Sequence, residues 1–352
     1  MLNLAIIAAA LLLAPLVEPP IIALAIGVIV GGVAQLAMQV LPLRRLGLLP
    51  RIGLSARAAL RDPRSRRVMA LMAPGILAVS AHQISLLINT HIASRLTTGS
   101  VSWISFGDRL MEFPQGLLGV ALGTVLLPSL SSAVAADDDA EYSLLLDWGL
   151  RLAVVLALPC ALAMVLMAEP LTALLYHYGR FGSEDVRMTA LAVQGYAPGL
   201  IGFVAVKVLA PGFFARQNVR TPVKIAVAAM VLTQALNLVL VPRFAHAGLA
   251  LSISVAALAN AALLGWLLIR SGRFTPARGW LRFLLQVGVA LACLAAVIMV
   301  WLPGFNWEVM QIAPRTRALQ VLFIVVVGAL VYGIALTLVG LRPWSLTRRP
   351  SR

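Results

Sequence analysis

The chain has 352 residues, of which 61% are apolar and only 12% charged, with a mean hydropathy of +0.95. Soluble domains are about a quarter charged, so a water-soluble globule is excluded. Lys and Arg outnumber Asp and Glu by 28 to 13, a formal charge of +15. The basic residues stand between long apolar runs rather than on one face. That suits loops beside anionic lipid, and no nucleic-acid partner is expected. The two cysteines, Cys160 and Cys293, lie inside apolar runs and read as core packing, not as a disulfide. The fold class is an all-α polytopic membrane protein.

A bilayer crossing takes about 20 mostly apolar residues, and about ten transmembrane helices are expected in chain order: 2–17, 20–42, 68–94, 102–131, 148–168, 188–210, 223–241, 247–269, 281–302 and 318–341. The first lacks a basic start and a cleavage site, so it does not read as a signal peptide. It reads as the middle of a longer protein. With the connection 43–67 placed in the cytoplasm, that side and its alternates collect 20 Lys and Arg, against 6 on the other side. The positive-inside rule therefore puts both termini of this chain in the cytoplasm. The connection 132–147, with Asp137, Asp138, Asp139, Glu141 and Asp147, dissents, but acidic residues weigh little in that rule. Within it the cluster Asp137–Asp138–Asp139 reads as a solvated acidic turn rather than a metal or sugar-nucleotide site.

Two basic residues fall inside the expected spans, Arg109 and Lys207. Arg109 belongs to WISFGDRLMEFPQGLLGVALGTVLLPSLS (103–131), where Asp108 and Glu112 share a helix face and Arg109 is spaced to pair with Glu112. Pro114 frees the carbonyl of Leu110. An Arg at mid-membrane costs about 2.5–3.5 kcal/mol even on the lenient insertion scale, so it has to face water or a partner. The alternatives are an internal salt bridge and a functional cavity. Lys207 lies near a cytoplasmic end, where cavity and snorkelling readings both stand. Gln83, Ser85, Asn89, Gln234, Asn237 and Asn260 are interhelical hydrogen bonders by type, with Gln83, Ser85, Asn89 and Asn237 the cavity-lining candidates. Ala-Pro-Gly recurs at 73–75, 197–199 and 210–212, where it is expected to break or kink helices as in transporter cavities. The other reading is that Pro and Gly are simply common in membrane helices. His82, His91, His177 and His246 have no metal spacing. There is no phosphate-binding glycine loop and no nucleophile elbow. No metal, no cofactor and no catalytic residue is expected.

The runs QISLLINT (83–90), SVSWISFGDRLMEFPQGLLGVALGTVLLPSLS (100–131), KVLAPGFFARQNVRTPVKIA (207–226) and HAGLALSIS (246–254) closely resemble the MurJ/MviN lipid II flippase family. That family belongs to the multidrug/oligosaccharidyl-lipid/polysaccharide exporter superfamily. The resemblance runs along essentially the whole chain. It implies a fold of fourteen helices, with two six-helix lobes around a central cavity and a final pair forming a lipid groove. This chain then looks like the fifth helix onward. Residues 1–42 would supply the last two helices of the amino-terminal lobe and 43–67 a basic cytoplasmic connection. Residues 68–270 would be the carboxy-terminal lobe, 271–341 the groove pair and 342–352 a basic tail.

The implied partners are the undecaprenyl-diphosphate-linked peptidoglycan precursor and membrane lipids, the implied place is the bacterial inner membrane, and a monomer is expected. Arg109 matches the family's cavity arginine and is expected to contact the diphosphate, with Asp108 and Glu112 tuning it; these three and Lys207 are the substrate-binding candidates. The family's other cavity arginines lie in helices that this chain lacks. Some relatives couple to sodium through a carboxylate near the equivalent of Asn237. No acid follows here, so no sodium site is expected. The resemblance implies alternating access, with no bond made or broken. The rival readings are an exporter of another cargo, a polyprenyl-phosphate transferase and a non-transporting fragment.

Overall fold

The computed structural model describes residues 1–48, 62–304 and 314–341 and has no strand among them. The arginines of 49–61, Glu308 and the whole basic tail 342–352 lie outside the described residues. The chain divides into two compact units, Met1–Met69 and Ala70–Arg352. In the first, α1 (Leu2–Ala8) continues through a π turn (Ala9–Leu13) and packs on α2 (Ile21–Arg45). Glycines make that contact possible. A Cβ on Gly27 would stand 2.7 Å from Ala9 Cβ, and one on Gly31 2.9 Å from Leu2 Cα. Lipid already satisfies apolar side chains, so membrane helices gain most where small residues let them approach closely.

The chain continues through α3 (Pro63–Ser94), α4 (Ser100–Ala135), α5 (Asp139–Leu166), a short α6 (Ala168–Tyr176), α7 (Ser183–Ala215), α8 (Arg220–Arg270), α9 (Trp280–Trp301) and α10 (Pro314–Leu338). Helix α8 is 51 residues long, roughly 76 Å at the usual rise and more than twice a hydrocarbon core. Its backbone breaks at Ala245 (φ 48°, ψ −129°). A Cβ on Gly248 would lie 2.4 Å from the Leu240 carbonyl oxygen, so the chain reverses there into two limbs. Among the described residues seven helices, α8 counted once, are long and apolar enough to cross a membrane. With the second limb of α8, α1 and α3, every one of the ten expected spans falls on a helical segment.

Contacts within the second unit give the helix directions. Gly107 of α4 meets Ala192 of α7, and Gly119 meets Lys207, so α4 and α7 run parallel. Gly149 of α5 meets Val208 and Tyr142 donates to the Gly212 carbonyl (2.8 Å), so α5 runs against α7. Helix α7 forms the axis of this core, with Leu200, Val204 and Val208 fully buried.

Three expectations need correction. The connection 132–147 is shorter than expected, with only 136–138 outside helix, and Asp138 caps α5 by accepting from the Glu141 amide (2.9 Å). Asp137 and Asp139 are exposed at that turn, at a helix start where the positive end of the dipole favours acids, whereas Asp147 lies within α5 and is buried. The triplets at 197–199 and 210–212 do not interrupt α7, which is helical from Ser183 to Ala215. The Ser254 hydroxyl from α8 is within hydrogen-bonding distance of the Gly195 (2.6 Å) and Tyr196 (3.0 Å) carbonyls beside Pro198. Gly199 and Gly202 let the backbone of the second α8 limb come within 2.6–2.7 Å of where their Cβ atoms would be. Finally, Arg317, counted as a loop cation, lies in the first turn of α10 and is fully buried.

Candidate functional site

Helix α4 runs through Pro114 and Pro128 without a break and separates its residues into two faces. Trp103, Met111, Leu118, Leu122 and Leu126 are buried, whereas Arg109, Glu112, Phe113, Gly116 and Leu117 are exposed. Arg109 is therefore not locked away in a core pair. Among the described residues no ion pair joins it to Glu112. Its charge reaches the end of α6, where burial raises the Tyr176 hydroxyl pKa and Arg109 opposes that rise. Asp108, partly buried on the adjoining face, is within electrostatic reach of Tyr196.

Lys207 is exposed on α7, and its methylene stem lies over Gly119, with Cδ and Cε 3.2 Å from where a glycine Cβ would be. Any side chain at 119 would displace that stem. Gly119 is ten residues beyond Arg109, which places the Lys207 stem about 15 Å farther along the helix axis. Asp108, Arg109 and Glu112 thus form one group, and Lys207 stands apart on the same pair of helices.

The expected hydrogen bonders form a second polar site between α3 and the first limb of α8. Gln234 Nε2 donates to Ser85 Oγ (3.1 Å) and Asn89 Oδ1 (3.3 Å). Asn237 Nδ2 donates to Asn89 Oδ1 (2.9 Å) and Gln234 Oε1 (3.1 Å). Asn89 and Asn237 are buried by one another, and Gln83 is exposed. Asn260, on the second limb, has a buried Oδ1 without a partner.

Sequence reasoning missed the groups that hold the last helix pair. Asp147 Oδ2 accepts from Arg151 Nε (2.7 Å), and its Oδ1 accepts from the Ala277 amide (3.0 Å) and Trp280 Nε1 (2.7 Å). The Arg151 guanidinium also lies over the Trp280 and Phe283 rings, 5.2 Å from each centroid. The i,i+4 spacing of Asp147 and Arg151 was a visible signal, whereas the arrival of Trp280 was not. Asp139 pairs with Arg216 at the same end of the bundle. At the other end, Trp103 Nε1 donates to Asp185 Oδ1 (2.8 Å) and its ring rests on His246 (centroids 5.2 Å apart). Near the first end, an apolar groove of about 510 Å³ is lined by Leu209, Gly265, Trp266, Phe274 and Trp280 among others. No group of His, Cys, Asp and Glu suited to a metal ion occurs among the described residues.

Crossing helices that keep an arginine and a lysine exposed on an apolar bundle define a polytopic membrane protein. A family model described as lipid II flippase MurJ matches residues 1–316. The chain is 50% identical over 336 residues to the lipid II flippase MurJ of Burkholderia cenocepacia, covering 95% of this chain and 65% of that protein. It is 36% identical over 349 residues to the probable lipid II flippase MurJ of Haemophilus influenzae, covering 97% and 67%. A solved structure of lipid II flippase MurJ in an inward closed conformation has the same fold, with a TM-score of 0.75 at 18% identity over 96% of this chain and 65% of that one. The chain belongs to the MurJ family. It spans about two thirds of the length of these relatives.

Proposed function

We propose that the protein moves lipid II, the undecaprenyl-diphosphate-linked peptidoglycan precursor, from the cytoplasmic to the periplasmic leaflet of the bacterial inner membrane. The observation that carries this reading is Arg109. It sits within DRLMEFP of a chain 50% identical to a lipid II flippase, and it is exposed on a crossing helix with no ion pair among the described residues. A guanidinium keeps its charge and its forked donors match phosphate oxygens, so Arg109 contacts the diphosphate. Asp108 and Glu112 set the field around it. Lys207, about 15 Å along the axis, meets the head group at another stage of its passage. Gln83, Ser85, Asn89 and Asn237 shape the wall between α3 and α8. The isoprenoid tail stays in lipid, and the apolar groove beside Trp280 offers it a surface.

In this reading residues 1–42 belong to one lobe, 68–270 to the other and 271–341 to the lipid-groove pair, with both termini cytoplasmic. The protein acts as a monomer, without a cofactor or nucleic acid. No covalent step occurs. Lobe rocking exposes the cavity to each leaflet in turn, and the membrane potential biases its positive charge by about 2.3 kcal/mol per charge per 100 mV.

The test places Arg109→Ala and Arg109→Lys in the protein expressed from its own locus and scores lipid II at the outer leaflet with a membrane-impermeant reagent. Alanine is expected to abolish that exposure, and lysine to retain part of it. Full exposure with alanine overturns the reading, and export of a different lipid-linked cargo by the unaltered protein replaces it.

A further inference from the structure

Among the described residues Arg317 is the largest fully buried side chain, and none of its three guanidinium nitrogens has a hydrogen-bond partner. Among the described residues no carboxylate pairs with it. Its one close neighbour with a favourable field is the ring of Tyr178, whose centroid is 4.7 Å from Cζ. A ring face attracts a cation, but it replaces neither the water nor the counter-ion that a buried guanidinium gives up.

The surroundings increase the demand for negative charge. Arg317 lies in the first turn of α10, a helix of 25 residues, whose amino-terminal end carries partial positive charge. Anions settle at such ends and cations are disfavoured there. One turn on, Gln320 Oε1 is buried without a partner, and on α6 so is Thr172 Oγ1. Helices α6 and α10 pack together here. The Tyr178 ring that lies against Arg317 is itself 49% exposed, and it is followed by Gly179 with φ +61°. Rotation of that side chain, next to a residue of wide backbone freedom, would uncover the face of the guanidinium against which the ring lies.

We propose that Arg317, under Tyr178 at the start of α10, is a binding site for a phosphate-bearing anion, either the headgroup of an anionic membrane lipid or free phosphate. The fork of Arg317 binds two phosphate oxygens, and the positive end of the α10 dipole adds to the attraction. The site is separate from Arg109 and does not depend on the lipid II reading. Loss of phosphate binding with flipping intact, or the reverse, tells the two apart.

The experiment uses the whole chain, purified and placed in phosphatidylcholine nanodiscs, with two probes: phosphatidylglycerol doped into the disc, read as retained lipid by native mass spectrometry, and inorganic phosphate, read as a thermal shift. The unaltered protein is expected to retain one phosphatidylglycerol that Arg317→Gln loses, with at least a tenfold fall in apparent affinity. If inorganic phosphate alone gives the full thermal shift, the anion is the free ion. If only phosphatidylglycerol does, it is the lipid headgroup. Tyr178→Ala keeps the guanidinium and is expected to speed exchange of the bound anion, which provides a readout even where Arg317→Gln fails to fold. Equal binding by the unaltered protein, Arg317→Gln and Tyr178→Ala overturns the proposal. So does a double-mutant cycle in which Arg317→Gln and Glu308→Gln are fully coupled, because the counter-charge then belongs to the chain.

Discussion

At the two ends of the last helix pair stand two buried charges, Asp147 and Arg317. Asp147 is 6% exposed, and its two oxygens accept from Arg151, the Ala277 amide and Trp280. Arg317 is not exposed at all, and its nitrogens donate to nothing. Both ends rest on the same apolar seam, in which Val155, Met167 and Val186 pack with Phe283, Val287, Val321 and Ile324, and Tyr332 donates to the Val155 carbonyl (2.8 Å). Packing therefore does not distinguish them. A charge whose partners come from its own chain acts as architecture, and one left without them points outward to a ligand.

Asp147→Ala tests the first half of that contrast. It strands Arg151, the Ala277 amide and the indole N–H together, and removing one partner of a buried pair costs about 3–5 kcal/mol. A steep fall in the thermal midpoint in detergent is expected, with earlier proteolysis between Ser271 and Gly279. A loss below about 1 kcal/mol would remove the distinction between the two ends. Asn237→Ala is an intermediate case, since it breaks bonds to Asn89 and Gln234. Interhelical hydrogen bonds in membranes average about 0.6 kcal/mol, so a midpoint shift of a degree or two is expected, and a collapse would show that the amide cluster holds the bundle. Arg317→Met sharpens the contrast from the other side. In phosphate-free buffer and neutral lipid its midpoint should not fall, because no internal bond is lost and a desolvated charge is removed. A large fall there would show that Arg317 is structural after all.

The crossing helices were legible in the sequence because hydropathy and length are properties of single segments. The ten spans needed no tertiary information, and the break at Ala245 falls between the expected spans 223–241 and 247–269. Arg109 and Lys207 were legible for the same reason, as charges out of place in oil. Arg317 was not, since it stands only one turn inside its helix and looks like an ordinary flanking cation until Tyr178, 139 residues earlier, closes over it. The Asp147 site was half legible. Its pairing with Arg151 is local, but Trp280 arrives from a different segment. The Ala-Pro-Gly triplets were ambiguous because composition cannot say whether glycine loosens a helix or brings a neighbour nearer. In α7 the contacts with Ser254, Ala257 and Leu258 show that it brings a neighbour nearer.

That glycine seam has a consequence for how the molecule moves. Gly195, Gly199 and Gly202 leave no side-chain cushion between α7 and the second limb of α8, and compressing bare backbone against backbone meets steep repulsion at once. The two helices must travel as one stiff plank. Whatever flexing accompanies cargo passage has to occur at the plank's edges, and bulk engineered into the seam would splay the bundle rather than tune its motion.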